Sequence, residues 1–173
     1  LEEALNISRA LGDEQGTGTQ LAELGTVLAD LGDYANARAH LEEALSIRRH
    51  IGDRRGELQA LGCLGVVYKD IDAFEQALEN YLAALAIARE IGDRRGEAAQ
   101  LGDIATLYRM LGQYDKAIAY HQASSKIDRE IGNRRGDAAD LGNLGLIYRE
   151  LKQYGKALDH HQEALNIARS IGD

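Results

Sequence analysis

The sequence predicts an all-α protein, a right-handed α-solenoid of helix-turn-helix repeats, on three observations. The string IGDRRG at residues 51–56 recurs letter for letter at 91–96 and returns as IGNRRG at 131–136. Written in rows of forty, the chain falls into register without an insertion: Gly12, Gly52, Gly92, Gly132 and Gly172 share one column, and Leu21, Leu61, Leu101 and Leu141 another. Within each row, apolar residues recur at the three- and four-residue steps of a helix face. Self-similarity at such a period marks an array in which each unit buries its apolar face only against its neighbours.

The elements follow in order. Residues 1–13 read as the second helix of a truncated repeat, and four complete repeats span 14–53, 54–93, 94–133 and 134–173. Second helices are expected at 1–11, 34–51, 74–91, 114–131 and 154–171, with first helices between them, nine in all. In the third repeat Leu101, Ile104, Tyr108 and Leu111 lie on one face, and Gly112 suits the left-handed residue that ends a helix. A second amphipathic stretch runs through Ala117, Ile118, His121, Ile127 and Ile131 to Gly132. Proline is absent, so glycine and Asp/Asn supply the punctuation. In IGDRRG the glycine ends one helix, and Asp53, Asp93 and Asn133 are the N-caps of the next. The paired arginines 54–55, 94–95 and 134–135 then sit where the helix dipole disfavours cations by a few tenths of a kcal/mol. Arg49, Arg89, Arg129 and Arg169 fall in a last turn, where a cation complements the dipole. Because the chain starts and ends on a second-type helix, it is expected to be a slice of a longer array.

Composition narrows the function classes. With 45% hydrophobic and 28% charged residues the chain reads as a folded soluble protein, and no apolar run approaches the roughly 20 residues of a membrane span. A lone cysteine, Cys63, makes no internal disulfide and fits a reducing, cytoplasmic setting. A net charge of -8 disfavours nucleic acid as a partner. The five histidines show no metal spacing, and His121 and His161 share a column with Leu41 and Tyr81, so both are expected to be packed. Neither a nucleophile elbow nor a phosphate loop is present, and Gly16-Thr17-Gly18 lacks the rest of one. The expectation is therefore no catalytic residue, no metal and no cofactor. Ser124 and Ser125 replace the Ala and Leu of sister columns, which predicts an underfilled pocket and a gain of about 1 kcal/mol for Ser125→Leu.

The columns resemble the tetratricopeptide repeat family. The last repeat reads Leu141-x2-Leu144-Gly145-x2-Tyr148, then Ala157-x3-His161; the second reads Leu61-x2-Leu64-Gly65-x2-Tyr68, then Ala77-x3-Tyr81. The likeness covers the whole chain, with a period of forty and with arginine where the family closes on proline. A forty-residue unit with GDR at the joint and GNLG in the first helix is similar to Pins-type adaptors and to bacterial arrays attached to signalling NTPases. The Pins-type Asn position holds Thr26, Val66, Thr106 and Leu146, so that peptide mode is not carried over. Both resemblances imply capture of a protein or peptide.

Opposite the core stripe, the first helices carry Arg55, Gly62, Val66 and Lys69; Arg95, Gly102, Thr106 and Arg109; and Arg135, Gly142, Leu146 and Arg149. In the family this face lines the concave groove, so the resemblance implies two basic rows flanking a floor of small residues, made for an acidic segment. The first repeat departs, with Gln15 and Ala29 at the basic positions. The competing expectation is structural: open array ends that stack copies into a homo-oligomer or longer superhelix.

Overall fold

The computed structural model describes the backbone of residues 2–172 and the side chains of residues 3–172, and all the regular structure described is helical. Among the described residues there are nine helices and no strand: α1 Glu2–Leu11, α2 Glu14–Asp30, α3 Tyr34–His50, α4 Arg54–Asp70, α5 Phe74–Glu90, α6 Arg94–Met110, α7 Tyr114–Glu130, α8 Arg134–Glu150 and α9 Tyr154–Ile171. The second-type helices α1, α3, α5, α7 and α9 lie within one residue of the expected bounds. No described helix is long and apolar enough to cross a membrane.

The joints explain the regularity. Gly52 takes φ +73°, its N–H donates to Arg49 O, and the Asp53 N–H donates to Arg48 O, so two carbonyls left over at the end of α3 are satisfied. Asp53 then turns its carboxylate onto the Gly56 N–H at 2.9 Å, and Asp93 and Asn133 cap α6 and α8 in the same way. That backbone donor, reinforced by Arg48, holds the Asp53 carboxyl below its usual range.

The chain divides into two compact units at Ile91. In the first, α2 packs on α3 and α4 on α5, around Leu41, Leu45, Leu58, Leu61, Leu64 and Val67. Gly65 is required here: a Cβ at this position would overlap the ring of the fully buried Tyr81. In the second unit, α6 packs on α7 and α8 on α9, with Leu101, Ile104, Leu107, Leu141, Leu144 and Ile147 buried.

The arginines divide into two classes. Arg54 pairs with Glu57 on its own helix and with Glu90 at the end of α5; Arg94 repeats this with Glu97 and with Glu130, the latter at 2.7 Å. These clamps tie the start of a first helix to the end of its partner, which offsets the unfavourable dipole term. Arg49 and Arg129 do more than complement a dipole: each guanidinium meets a buried carboxylate, Glu57 at 2.8 Å and Asp137 at 3.0 Å.

Two expectations fail. The Ser125 site is not leucine-shaped, because its hydroxyl donates to Asp137 Oδ1 at 2.6 Å; the Ser124 hydroxyl donates to Ala98 O at 2.8 Å, and both serines are buried. His121 is 0% exposed as expected, but His161 is exposed, although its ring covers Gly145: no described helix packs on the outer side of α9. At two joints between the helices of a repeat, the left-handed residue is not glycine but Asp72 or Lys152, each at φ +58°.

Candidate functional site

The candidate residues occupy the first-type helices α4, α6 and α8. Arg55, Arg95, Arg135 and Arg149 are exposed, and Lys69 and Arg109 are half-buried. The second row is partly neutralised: Lys69 Nζ lies 2.8 Å from Asp70, and Arg109 lies 2.9 Å from Glu150. Gly62, Gly102, Gly142, Thr106 and Leu146 are half-buried, while Val66 is 36% exposed. The Thr106 hydroxyl is turned back onto the Gly102 carbonyl, 3.0 Å away. Close packing does not demand glycine at 142, where an added Cβ would meet nothing within 4 Å. At 102 it would meet only ordinary contacts, 3.6 Å from Asp140 Oδ1 and 3.7 Å from Ser124 Oγ. The floor is therefore open at Gly142, while at Gly102 it borders α7 and α8 without crowding.

Two hollows of the second unit share Arg95 and Asn133. One, of about 570 Å³, is lined by Arg95, Arg134 and Arg135 with Ile131 and Ile171, and among the described residues no carboxylate lines it. In Arg134 the clamp of the sister repeats is changed, since Ser170 Oγ at 3.5 Å stands where the others offer a glutamate. The other, of about 330 Å³ between α6, α7 and α8, has the opposite character: Asp103, Asp128 and Asp140 line it against a single arginine, Arg95. Asp128 is 3% exposed and Asp140 5%. Burial pushes the Asp128 carboxyl above its usual range, with the Asp140 and Asp137 charges adding to it and the Asn133 hydrogen bond and Arg95 opposing.

These aspartates were not singled out in the sequence. Their signal lies in the columns: Asp128 stands where the sister repeats have Arg48, Ala88 and Ala168, and Asp140 where they have Gln20, Ala60 and Gln100. The first unit carries the reverse charge in the same column. Arg48, 6% exposed, donates to Asp53 and to Thr19 Oγ1 at 2.8 Å, and it lines a 540 Å³ hollow with Cys63. Tyr108 and Tyr148 are half-buried, stacked on Tyr120 and His160 at 5.5 and 5.2 Å, with Lys116 and Lys156 over their faces.

Comparison with known proteins agrees with the fold. BtubC from P. vanneervenii superimposes with a TM-score of 0.82 at 19% identity, over 92% of this chain and 66% of its own. A Rap protein complexed with competence and sporulation factor gives 0.80 at 21%, over 86% of this chain and 42% of its own. A signal-transduction ATPase with numerous domains and a tetratricopeptide repeat sensor, from Pyrococcus horikoshii, gives 0.81 at 24%, over 90% of this chain and 24% of its own. The chain thus spans between about a quarter and two thirds of the length of these proteins. No curated protein sequence matches it significantly. The tetratricopeptide repeat model matches residues 17–90, 56–130 and 96–170, and with the repeat joints, the glycine-backed helix pairs and the nine helices in place, the chain belongs to the tetratricopeptide repeat family.

Proposed function

We propose that this chain is a protein-interaction module that captures an acidic segment of a partner protein, or of its own chain, on its first-helix faces, marked by Arg95, Arg135 and Arg149 in the second unit and by Arg55 in the first. The observation that carries this reading is the arginine-lined hollow with an isoleucine wall, where guanidinium forks can grip carboxylates and burial over Ile131 and Ile171 adds affinity. Single exposed pairs contribute only about 0.2 to 1 kcal/mol, so recognition sums several contacts and affinity falls near micromolar, about 8 kcal/mol. The forty-residue period and the sensor array of the Pyrococcus ATPase support a signalling context, in which the array recognises and attached domains act.

The test is anisotropy titration of a fluorescein-labelled peptide of glutamate and leucine against its lysine counterpart at two salt concentrations. The acidic peptide binds, more weakly in high salt, and Arg95→Glu with Arg135→Glu lowers its affinity at least about tenfold at unchanged helicity. Equal, salt-insensitive binding by the double variant overturns the reading.

A second reading, self-association, has its own observation. Tyr154, Leu158 and Leu165 are 65%, 69% and 43% exposed on α9. Light scattering on the eluting chain decides it: a concentration-independent monomer removes this alternative.

A further inference from the structure

We infer that the hollow between α6, α7 and α8 is a receptor for one cationic side chain, an arginine or lysine of the captured segment, held by Asp128 and Asp140 over the open floor at Gly102. The inference deepens the peptide-capture reading and rests on it, because a cation seated here comes with a segment already on the first-helix face.

Three observations carry it. First, the carboxylates are built in at a cost. Asp128 and Asp140 are more than nine-tenths buried, in columns that sister repeats fill with Ala, Gln or Arg, so the fold does not need an acid at either place. A buried carboxylate without a compensating cation destabilises a fold, and such groups concentrate at functional sites. Second, one of them is unfinished. Asp140 lines the hollow with Oδ1 beside Gly102, where it accepts from His121 Nδ1 at 2.8 Å, and its second oxygen, Oδ2, is buried with no hydrogen-bond partner. Asp128 keeps one donor, Asn133 Nδ2 at 2.8 Å. Third, there is room. A Cβ at 102 would find only ordinary contacts, and 330 Å³ is at the small end of ligand sites, which suits a single side chain.

The chemistry selects an organic cation. No group of three His, Cys, Asp or Glu side chains among the described residues is placed to ligate a metal. The raised Asp128 pKa fits a carboxylate awaiting a positive partner. Because Arg95 also lines the arginine-rich hollow, the two sites adjoin, and the segment that fills both carries a basic residue close to its acidic ones.

The test is an ¹⁵N-correlation titration of the chain with three probes: N-acetyl-arginine N-methylamide, its lysine analogue, and the neutral citrulline analogue. Arginine or lysine gives saturable shifts on α6, α7 and α8, and citrulline binds at least about tenfold more weakly. Asp128→Asn and Asp140→Asn each weaken the cationic probe by a similar factor. Should Asp140→Asn not fold, Gly102→Lys decides, since its tethered ammonium occupies the hollow and abolishes probe binding. Equal shifts from citrulline, no saturable shift from either cation, or undiminished binding in folded Gly102→Lys overturns the proposal. Arg135, which does not line this hollow, separates the two readings: Arg135→Glu weakens the acidic peptide yet leaves the arginine probe bound. Loss of the acidic peptide's binding alone is thus a failure of the first reading, and loss of the probe's alone a failure of this one.

Discussion

His121 on α7 and Asp140 on α8 form a buried polar pair, Nδ1 to Oδ1 at 2.8 Å, with the ring 0% and the aspartate 5% exposed. The carboxylate can only accept, so the proton lies on Nδ1 and Nε2 is left without a partner. The aspartate departs from its column, where Gln20, Ala60 and Gln100 match it, while the histidine shares its column with His161 beside Leu41 and Tyr81. Removing one partner strands the other. Asp140→Ala is expected to cost about 2 kcal/mol, and a double-mutant cycle with His121→Tyr to return a coupling of about 1 kcal/mol or more by denaturant unfolding. A coupling near zero would show two independent side chains.

Ser125→Leu tests the neighbouring network. Asp137, 2% exposed, accepts from the Ser125 hydroxyl and from Arg129 Nε. Leucine removes one donor from a buried carboxylate and puts three further carbons in place of the hydroxyl. The midpoint in denaturant should fall by the equivalent of about 1 to 3 kcal/mol at an unchanged slope, whereas a rise would mean that apolar burial outweighs the lost bond.

Why one half of this molecule was legible and the other not follows from range. Helix ends are set by local chemistry: Gly52 and Asp53 need only their own turn, so the joints could be read directly. Arg54 could not be placed, because Glu90, which answers it, is a whole helix pair away. Nor could Ser125, whose meaning depends on Asp137 across the next joint. Read alone, the serines look like missing apolar contacts; beside His121, Asp128, Asp137 and Asp140 they belong to one buried polar cluster. The candidate basic rows are legible as positions on one helix face, since the 100° period is also local, and Asp70 stands beside Lys69 in the sequence; the pairing of Arg109 with Glu150 is not local, because it joins α6 to α8.

Lys152 and Asp72 hold the left-handed conformation that Gly32 and Gly112 hold in sister repeats. For a side chain with a Cβ this costs roughly 1 kcal/mol, less for Asp than for Lys. Lys152→Gly should therefore raise the midpoint by about 1 kcal/mol and Asp72→Gly by less, in thermal or denaturant unfolding. An unchanged or lowered midpoint in Lys152→Gly would show that its side chain stabilises the joint by as much as its backbone strains it.

Asp128 gives a sign to the pH dependence. Burial first, then the charges of Asp140 and Asp137, raise its folded pKa above the ordinary 3.8, against the pull of Asn133 and Arg95. The folded chain therefore binds this proton more tightly than the unfolded chain. As pH falls through the raised value towards 3.8, the group contributes a gain in stability, and at neutral pH it is a liability. Asp53 and Glu90, both lowered, act in the opposite sense and lose their stabilisation as pH falls through their folded values. The clean readout is thus a difference: Asp128→Asn should be more stable than the parent at pH 7, with the margin shrinking towards pH 4. A margin independent of pH would remove the titration from the account.

Arg94 and Arg95 stand side by side at the start of α6 and are predicted to fail in different ways. Arg94 is bonded to Glu97, which is 8% exposed, and to Glu130 at the end of α7, so its loss leaves a buried carboxylate short of a cation and loosens the helix pair. Arg95 is exposed, lines both the arginine-rich and the acidic hollow and makes neither of these clamps. Arg94→Ala should cost about 1 kcal/mol in unfolding and leave the affinity for an acidic peptide within about twofold. Arg95→Ala should change the midpoint little and weaken the acidic peptide several-fold, most strongly at low salt, because an open hollow is screened. It should also strengthen the arginine probe, since the one cation that lines the acidic hollow among the described residues has gone. If instead both variants lost stability and kept binding, the second arginine of each pair would belong to the joint like the first, and the face of α6 would need another anchor.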